Sequence, residues 1–411
     1  MSAKAKKKKL TTLPKREPYS EKMREYAKNR LLKKCSNCSM CRDECPTYYS
    51  SYAESFYAGG RLRILRTFVE RGLPMTDDFV NAMFFCTTCK QCEDICPISM
   101  EYVDIIEDLR AEVVEKLGKP HGNLLNFARN VYNFKNPYGE APEKRKAWLP
   151  EDVKEVERGP YAYFVGCTAS FRTISAAQNT SRILSKLLGG IVVLGSGEFC
   201  CGSPLIRTGQ VDFDLSPAEG RDPVRFKVKD LISHNVDALV MREVKEVIFS
   251  CSGCYKTSTD DWPRLFDREI PFKRTHITQF LSRMLDEGKL QLGEYPKTIT
   301  YHDPCHLGRH RGEYDAPRRV LAAIPGAKFV EMRKVRNRSR CCGAGAGVKA
   351  GFPDKALEIA KIRVLEAKET GADVLATSCV FCKYNFLDAV KALDLDLEVV
   401  NIEDIIASIM K

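Results

Sequence analysis

Two adjacent cysteines followed by a glycine occur twice in the chain, and this pattern constrains the fold most. The copies are Cys200-Cys201-Gly202 and Cys341-Cys342-Gly343. Adjacent Cα atoms lie too close for the usual geometry of a relaxed disulfide, whereas two neighbouring thiolates can both bind a metal cluster. Glycine fits that use, because it lets the backbone approach closely and offers N–H groups to sulfur. Each pair therefore predicts further ligands elsewhere in the chain.

The rest of the cysteine pattern is repeated in the same order. Each copy has one cysteine before the pair and a Cys-x2-Cys motif after it. Matching positions lie 138, 141 and 128 residues apart, and the offset shrinks because the first copy has extra residues, which we place in a loop at 216–223. This internal repeat predicts two related modules. Their cysteines are Cys167, Cys200, Cys201, Cys251 and Cys254, then Cys305, Cys341, Cys342, Cys379 and Cys382.

Alternating strands and helices are predicted in both copies. The predicted strands are 161–165, 191–194 and 246–249 in the first copy, and 298–301, 328–331 and 373–376 in the second. The predicted helices are 173–188, 316–323 and 355–370. The cysteines fall where strands end, and ligands of open α/β sheets collect at the carboxyl ends of strands. The sequence therefore predicts two α/β cysteine-rich modules, at 159–292 and 293–411.

The N-terminal part contains Cys-x2-Cys-x2-Cys-x3-Cys-Pro twice, which is the bacterial ferredoxin pattern for cubane [4Fe–4S] clusters. In that pattern three close thiolates bind one cluster, and the fourth binds the other cluster. Cys-x2-Cys also suits zinc, but two complete four-cysteine runs favour clusters. One predicted ligand set is Cys35, Cys38, Cys41 and Cys96, and the other is Cys86, Cys89, Cys92 and Cys45.

About 40 residues separate the two runs, and helical spacing of apolar residues dominates around them. Helices are predicted over 19–34, within 54–72, over 79–85 and over 101–117. The expected fold class is α+β multidomain: a basic tail and lead-in helix (1–30), a helical ferredoxin domain (31–118), a proline-rich and charged linker (119–158), and the two modules.

Composition narrows the classes of protein further. The chain has 411 residues, 18 cysteines and a net charge of +11, partly from an N-terminal lysine run. It has neither a secretion signal nor 18 consecutive apolar residues, so we expect a cytoplasmic protein whose membrane contact is made through a partner subunit. The lysine run is expected to be a solvated tail, with an acidic partner or an anionic membrane as alternatives. Nucleic acid is not expected as a partner, because no basic motif with interleaved aromatic residues is present.

The repeated five-cysteine module resembles the cysteine-rich domains of heterodisulfide reductase, and the whole of 30–411 resembles the D-type subunits of that family. The second module matches closely, with 35 and 36 residues in its two gaps. The first module departs from the pattern, because 49 residues separate Cys201 from Cys251. The resemblance implies that each module holds a noncubane [4Fe–4S] cluster on its five cysteines, and that one cysteine of each adjacent pair bridges irons.

The resemblance also implies an activity. A disulfide such as CoM-S-S-CoB would be cleaved between the two noncubane clusters, each supplying one electron and capturing one thiolate, while the two cubane clusters deliver electrons singly. The implied partners are a membrane cytochrome b-type subunit or a flavoprotein, and the implied setting is methanogenesis. The ten module cysteines would then be the catalytic ligands.

Two other functions stay open at this point. Iron–sulfur subunits of glycolate and lactate dehydrogenases share the same domain order, but they pass on electrons from a flavin partner and commonly lack a full cysteine set in one or both modules. Both sets are complete here, which favours disulfide chemistry. A non-catalytic zinc scaffold is the third possibility.

Histidines 302, 306 and 310 are spaced by four residues. On a helix beginning near Pro304, His306 and His310 would share a face. We expect a polar helix start beside the cluster, with His306 hydrogen-bonded locally, rather than a separate metal site. The glycines of 343–347 lack dinucleotide-loop spacing and are expected to be backbone packed against the cluster.

Several cations lie near the cysteines in sequence. They could bind the sulfonate and phosphate of a heterodisulfide, but we expect any single one to be a solvated surface charge. These cations are Arg172, Arg207, Lys256, Arg309, Lys349 and Lys383.

Overall fold

The structure, a computed structural model, describes residues 19–25, 34–215 and 222–411. The lysine-rich tail at 1–18, half of the helix predicted over 19–34 (residues 26–33) and most of the predicted loop at 216–223 lie outside these residues. The described part combines a helical N-terminal region with two small parallel sheets flanked by helices. This confirms the predicted α+β multidomain class.

The N-terminal region is built on helices; those predicted within 54–72, over 79–85 and over 101–117 are present, and the helix predicted over 19–34 is described only in part. Side chains of Leu65, Phe79 and Leu109, from three different helices, share a buried core. The Thr76 hydroxyl caps one helix by accepting from the Phe79 N–H at 3.3 Å. The helices are α1 (Glu21–Glu25), α2 (Met40–Asp43), α3 (Pro46–Tyr49), α4 (Ala58–Arg71), α5 (Asp77–Phe84), α6 (Gln91–Asp94) and α7 (Tyr102–Leu117).

The segment 119–158, expected as a linker, packs over both neighbours. It contains α8 (Leu125–Phe134) and a short 3₁₀ turn at Pro142–Lys146. Trp148 is 2% exposed and meets the Tyr163 ring edge-on at 6.0 Å between centroids. The segment therefore acts as a cover that fixes the N-terminal region against the first module.

The first module is a four-stranded parallel sheet in the order β2-β1-β5-β6. Along the chain, an antiparallel hairpin of β3 and β4 lies between β2 and β5 and forms a separate two-stranded sheet. Its strands are β1 (Tyr161–Phe164), β2 (Val192–Val193), β3 (Asp212–Leu215), β4 (Val224–Lys227), β5 (Glu246–Phe249) and β6 (Lys273–His276). Its helices are α9 (Cys167–Phe171), α10 (Ile174–Leu188), α11 (Ser203–Arg207), α12 (Val228–Val240), α13 (Ser252–Lys256), α14 (Trp262–Leu265) and α15 (Ile277–Asp286), with a π-helical turn at Thr257–Asp261.

The second module repeats that sheet with the order β8-β7-β9-β10, again parallel. Its strands are β7 (Thr298–His302), β8 (Lys328–Val330), β9 (Val374–Thr377) and β10 (Glu398–Asn401). Its helices are α16 (Asp315–Ala322), α17 (Val348–Gly351), α18 (Pro353–Lys368), α19 (Val380–Leu393) and α20 (Ile402–Ile409).

The sequence predicted three strands per module, and the structure adds a fourth. The added strands, β6 and β10, end in His276 and Asn401. The His276 ring caps the helix that follows by accepting from the Thr278 N–H at 3.3 Å, and the Asn401 N–H donates to the Asp404 carboxylate at 2.8 Å. The longer spacing in the first module corresponds to the β3–β4 hairpin, which was predicted only as a loop. Its two strands lie on either side of residues 216–221, which are outside the described part of the chain.

Candidate metal centre

The first three cysteines of each N-terminal run meet the fourth cysteine of the other run. One pocket is lined by Cys35, Cys38, Cys41 and Cys96, and a second pocket is lined by Cys45, Cys86, Cys89 and Cys92. These are the two crosswise sets expected from the sequence. The structure thus brings each expected ligand set together around its own pocket.

The loops around the two pockets repeat an unusual backbone conformation. Asn37 and Ser39 have φ values of 55° and 60°, and the matching Thr88 and Lys90 have 49° and 62°. Left-handed backbone is costly for such residues and persists where surrounding structure requires it. Repeated at the same two places in each loop, it turns the chain around the space that the thiols enclose. This supports a bound cluster in each pocket rather than isolated thiols.

The two pockets differ in depth. Cys38 is exposed, whereas Cys45, Cys86 and Cys89 are buried. The first pocket therefore lies at the protein surface and the second lies inside, towards the modules.

Arg110 ties the inner pocket to both modules. Its buried guanidinium donates to the Cys86 carbonyl at 2.8 Å, to the Arg207 carbonyl at 2.7 Å and to the Ala346 carbonyl at 3.3 Å. A guanidinium has five donors in a rigid fork, so one side chain can fix several backbones at once. Arg110 was not among the residues predicted from the sequence, because nothing local distinguishes it from a surface arginine on α7.

Cysteines of both modules line one central cavity of about 370 Å³. The carboxyl ends of both sheets lead into it, since Cys167, Cys251 and Cys379 follow β1, β5 and β9 within three residues. The cysteines in its lining are Cys167, Cys200, Cys201, Cys251, Cys254, Cys305, Cys342, Cys379 and Cys382. Cys341 is the tenth module cysteine and lies behind the lining, with its thiol 3.6 Å from the Thr87 hydroxyl.

The glycine after each adjacent pair is required by the geometry. Gly202 and Gly343 have φ values of 90° and 87°. A Cβ at Gly343 would lie 2.6 Å from the Ala356 carbonyl oxygen, and one at Gly202 would lie 2.7 Å from a Val228 methyl. The Gly343 N–H also lies 3.4 Å from the Cys341 sulfur. Each glycine therefore allows both the turn and the close packing behind a thiol pair.

The glycine-rich stretch 343–347 packs against protein. A Cβ at Gly345 would lie 2.8 Å from the Thr87 carbonyl oxygen, within the loop of the inner pocket. The stretch is thus a contact between the second module and the N-terminal region.

The second thiol of each pair is the common acceptor of its set. Cys201 accepts hydrogen bonds from the Cys200 and Cys254 thiols, which lower the pKa of Cys201 to about 6. Cys342 accepts from Cys341 and Cys382, which holds its pKa well below the usual thiol range. In the second module Cys379, which accepts from Cys251 and Cys382, also has a pKa well below the usual thiol range, whereas the pKa of its counterpart Cys251 is raised.

Two further thiol contacts connect different sets. Cys89 of the inner pocket meets Cys341, which in turn meets Cys305 of the same module. Cys251 of the first module meets Cys379 of the second module. The N-terminal region therefore contacts the second module next to the cavity. The spacing of the cysteines along the chain does not indicate this contact.

The expectation of solvated surface cations is wrong for several residues. Arg207, Lys256 and Lys383 are 2%, 8% and 7% exposed. Arg207 forms ion pairs with Glu107 and Asp261, and Lys256 lies 3.1 Å from Asp261. Buried charges need such partners, and the π-helical turn carries Asp261 to them.

The remaining cations differ in position. Arg309 donates to the Cys89 carbonyl at 2.6 Å. Arg172 stacks on Tyr138, and Lys349 lies over Tyr384 and bonds Asn385 at 2.8 Å. Of the six candidates, the cavity lining contains Arg207 and Lys349.

The histidines also differ from expectation. Residues 304–312 form turns instead of a helix. The His306 and His310 rings nevertheless meet at 4.6 Å between centroids, and His310 bonds the Thr88 carbonyl at 2.9 Å. His306 Nε2 has no hydrogen-bond partner among the described residues, so the expected local bond is absent at that atom. A ring nitrogen of His302 lies within 4.8 Å of the sulfurs of Cys342 and Cys382.

Known protein families match three separate parts of the chain. A 4Fe-4S dicluster domain matches residues 31–100, and a cysteine-rich domain matches twice, at 161–257 and 299–387. The D subunit of the dihydromethanophenazine:CoB–CoM heterodisulfide reductase of Methanosarcina acetivorans is 41% identical over 392 residues, covering 91% of this chain and 92% of that protein. The chain belongs to the family of heterodisulfide reductase D subunits.

Proteins related to this family are named for more than one activity. The B subunit of the CoM/CoB fumarate reductase of Methanothermobacter marburgensis is 30% identical, covering 94% of this chain and 74% of that protein. EtfAB:quinone oxidoreductase of Syntrophomonas wolfei is 29% identical, covering 75% of this chain and 43% of that protein. Family membership makes the chain an iron–sulfur subunit of an oxidoreductase.

The fold also has a counterpart among solved structures. A hypothetical protein from Helicobacter pylori superposes with a TM-score of 0.58 at 12% identity, covering 95% of this chain and 72% of that chain. Among the described residues, no helix is both long enough and apolar enough to cross a membrane.

Proposed function

We propose that this chain is the catalytic iron–sulfur subunit of a heterodisulfide reductase-like enzyme, and that it reduces a disulfide in the central cavity. The single observation that carries this proposal is that thiols of both five-cysteine sets line one cavity. Reduction of a disulfide consumes two electrons and two protons and yields two thiols. A site between two redox centres suits that stoichiometry.

The donor chemistry fits iron–sulfur clusters at four places. The N-terminal pockets each offer four thiols, and we assign them cubane [4Fe–4S] clusters. The modules each offer five thiols, one more than a cubane takes, and we assign them noncubane [4Fe–4S] clusters. When bound, the noncubane clusters would supply one electron each and iron sites with affinity for thiolates. Cys201 and Cys342 would hold these clusters together with the other four cysteines of their sets, and each already accepts bonds from two other thiols of its set.

The cavity lining suits an anionic disulfide. Arg207 and Lys349 line it, and the described lining residues include no carboxylate. Arg207 is held by its two buried ion pairs, and Lys349, with 19% of its side chain exposed, lies over the Tyr384 ring and pairs with Asp388 at 2.5 Å. Apolar side chains such as Phe127 and Phe381 complete the lining and exclude water from the reacting bond. A disulfide with an acidic group, such as CoM-S-S-CoB, matches this combination.

The expected partner is an electron-donating subunit, either a membrane cytochrome b-type subunit or a flavoprotein. We expect this partner to dock at the N-terminal pocket that contains Cys38, because Cys38 is exposed, whereas the inner pocket has buried cysteines. Such a partner would also give the chain its place at the cytoplasmic membrane.

The proposal is tested with anaerobically purified protein. About sixteen iron atoms per chain are expected for four clusters, together with reduction of CoM-S-S-CoB by reduced viologen. Few iron atoms with bound zinc instead would exclude the cluster assignment. Full iron with no reduction of any anionic disulfide would exclude the catalytic role.

A second candidate is an electron-transfer subunit without bond chemistry of its own. The likeness to EtfAB:quinone oxidoreductase favours it. Co-purification of a flavoprotein with an iron-replete but disulfide-inactive chain would support this candidate over the first.

A further inference from the structure

His302 is held beside the thiols of the second module by an arginine. It is the last residue of β7 and is 1% exposed. The Arg363 Nε lies 3.2 Å from His302 Nδ1. A guanidinium can only donate hydrogen bonds, so Nδ1 must be the acceptor in this contact.

That contact decides where the imidazole carries its proton. Because Nδ1 accepts the Arg363 N–H, that nitrogen carries no proton, and the ring is therefore neutral. A neutral imidazole has one N–H, and with Nδ1 accepting it must be on Nε2. Nε2 has no hydrogen-bond partner among the described residues.

The imidazole lies beside two thiols of the second module, and Arg363 occupies Nδ1, which leaves Nε2 as the nitrogen able to donate to them. A ring nitrogen of His302 and the sulfurs of Cys342 and Cys382 all lie within 4.8 Å of one another. A metal bond from Nε2 would require that nitrogen to lose its proton, which would then sit on Nδ1 and face the Arg363 donor. The arginine therefore favours a hydrogen-bond donor over a metal ligand.

The first module has no equivalent donor at this position. Phe164, also the last residue of its strand, lies 138 residues before His302 and has the same place in the sheet order. It packs against Phe249 and Trp262 at 5.3 and 5.9 Å between ring centroids. Any effect of His302 is therefore specific to the second module.

We propose that His302 is a positioning residue that donates its Nε2–H to a sulfur of the second module's cluster and makes that cluster easier to reduce. Hydrogen bonds to sulfur stabilise the additional negative charge of the reduced form, and they are among the determinants of cluster potential. The role of Arg363 is to fix the tautomer. The inference rests on the proposed function, in that the second module must hold a cluster.

The test uses the full chain, purified anaerobically with nitrogen-15-labelled histidine, and compares three variants. His302→Phe reproduces the first module, His302→Gln keeps an N–H donor, and His234→Phe is the matched control. His234 lies on α12, where it stacks on Phe199 and bonds the Gly197 carbonyl. The readouts are iron content, electron–nuclear couplings at the clusters, and reduction midpoints followed by EPR.

In the unmodified chain and in His234→Phe, one cluster is expected to show a weak histidine coupling and an exchangeable proton. His302→Phe should keep its iron and lose both couplings. Its second-module cluster should be reduced about tenfold less readily, which lowers the midpoint potential by about 59 mV for a one-electron couple. In His302→Gln, the midpoint potential should return most of the way to that of the unmodified chain. The first module's cluster should be unchanged in every variant.

An unchanged midpoint in an iron-replete His302→Phe would overturn the inference. So would a strong coupling of directly bound nitrogen in the unmodified chain, or loss of about four iron atoms in both His302 variants, because either result makes His302 a ligand. Failure of the proposed function looks different: the unmodified chain itself would then lack iron in the second module.

Discussion

The two modules share a scaffold for thiols but differ in what surrounds them. Both have the same parallel strand order, and both place a left-handed glycine after the cysteine pair. In both, the second thiol of the pair accepts bonds from two others. These shared features depend on local sequence, which explains why they are repeated together.

The charges near the thiols are not repeated. In the first module, Arg145 donates twice to the Cys167 sulfur at 3.5 Å and pairs with the buried Glu198 at 2.6 Å. In the second module, the neutral His302 lies near Cys342 and Cys382. A charged donor and a neutral donor stabilise a reduced cluster to different extents. The repeat thus sets the ligands, while non-repeated residues set their properties.

The modules also differ in their neighbours. The second module meets the N-terminal region through Cys341, whose thiol contacts that of Cys89. The first module's matching Cys200 is instead covered by the 119–158 segment, with its N–H 2.8 Å from the Lys135 carbonyl. The second ligand set thus contacts the N-terminal region, from which electrons are expected to arrive, whereas the first set is covered by the 119–158 segment.

The largest expected effect comes from removing a central thiol. Cys342→Ser should cost the second module its cluster, with about four iron atoms lost per chain, and should abolish disulfide reduction. The ferredoxin-type signals should persist, as EPR and iron analysis can check. Cys201→Ser is the matched change in the first module. If Cys342→Ser removed the cubane signals instead, the assignment of ligands would be wrong.

The buried ion pairs provide the next comparison. Arg145→Met leaves Glu198 without its cation and should cost about 3–5 kcal/mol in free energy of unfolding. Arg318→Met, which breaks the 2.6 Å pair with Asp303 in the second module, should cost a similar amount. Denaturant unfolding measures both losses. Only Arg145→Met should change the EPR signal of the first module's cluster. If both variants changed that signal equally, the inferred difference in the charges around the two thiol sets would be wrong.

The glycines after the pairs should respond unequally to alanine. Gly343→Ala pushes a methyl group against the Ala356 carbonyl, whereas Gly202→Ala meets a Val228 methyl that can turn away. Both substitutions strain a left-handed backbone by about 1–3 kcal/mol, and the backbone clash should make Gly343→Ala the worse of the two. Thermal unfolding of the two variants decides this, and equal losses would show that both sites relax alike.

The smallest expected effect concerns the substrate. Lys349→Met should raise KM for an anionic disulfide roughly five- to tenfold, about 1 kcal/mol, with little change in kcat. The loss is modest because Lys349 already pairs with Asp388 at 2.5 Å. Arg172→Met should leave KM unchanged, since Arg172 lies outside the cavity lining. Steady-state kinetics with neutral and anionic disulfides separates charge recognition from general damage.

The sequence by itself determined which cysteines gather in each N-terminal pocket and three of the four sheet strands in each module. Cysteine spacing identified the two crosswise N-terminal sets, and strand periodicity placed Cys167 and Cys379 at strand ends. Both rest on local rules, because spacing along a loop fixes which thiols can share a pocket. The repeat offset likewise located the insertion, although not its hairpin structure.

Only the tertiary structure decided how these parts meet. That both thiol sets line one cavity, that Cys341 reaches Cys89, and that Arg207 is buried between Glu107 and Asp261 all depend on packing between distant segments. His302 was visible in the sequence as one of three evenly spaced histidines. Its position beside the thiols and its tautomer follow from β7 packing against Arg363 of α18, which spacing along the chain does not encode.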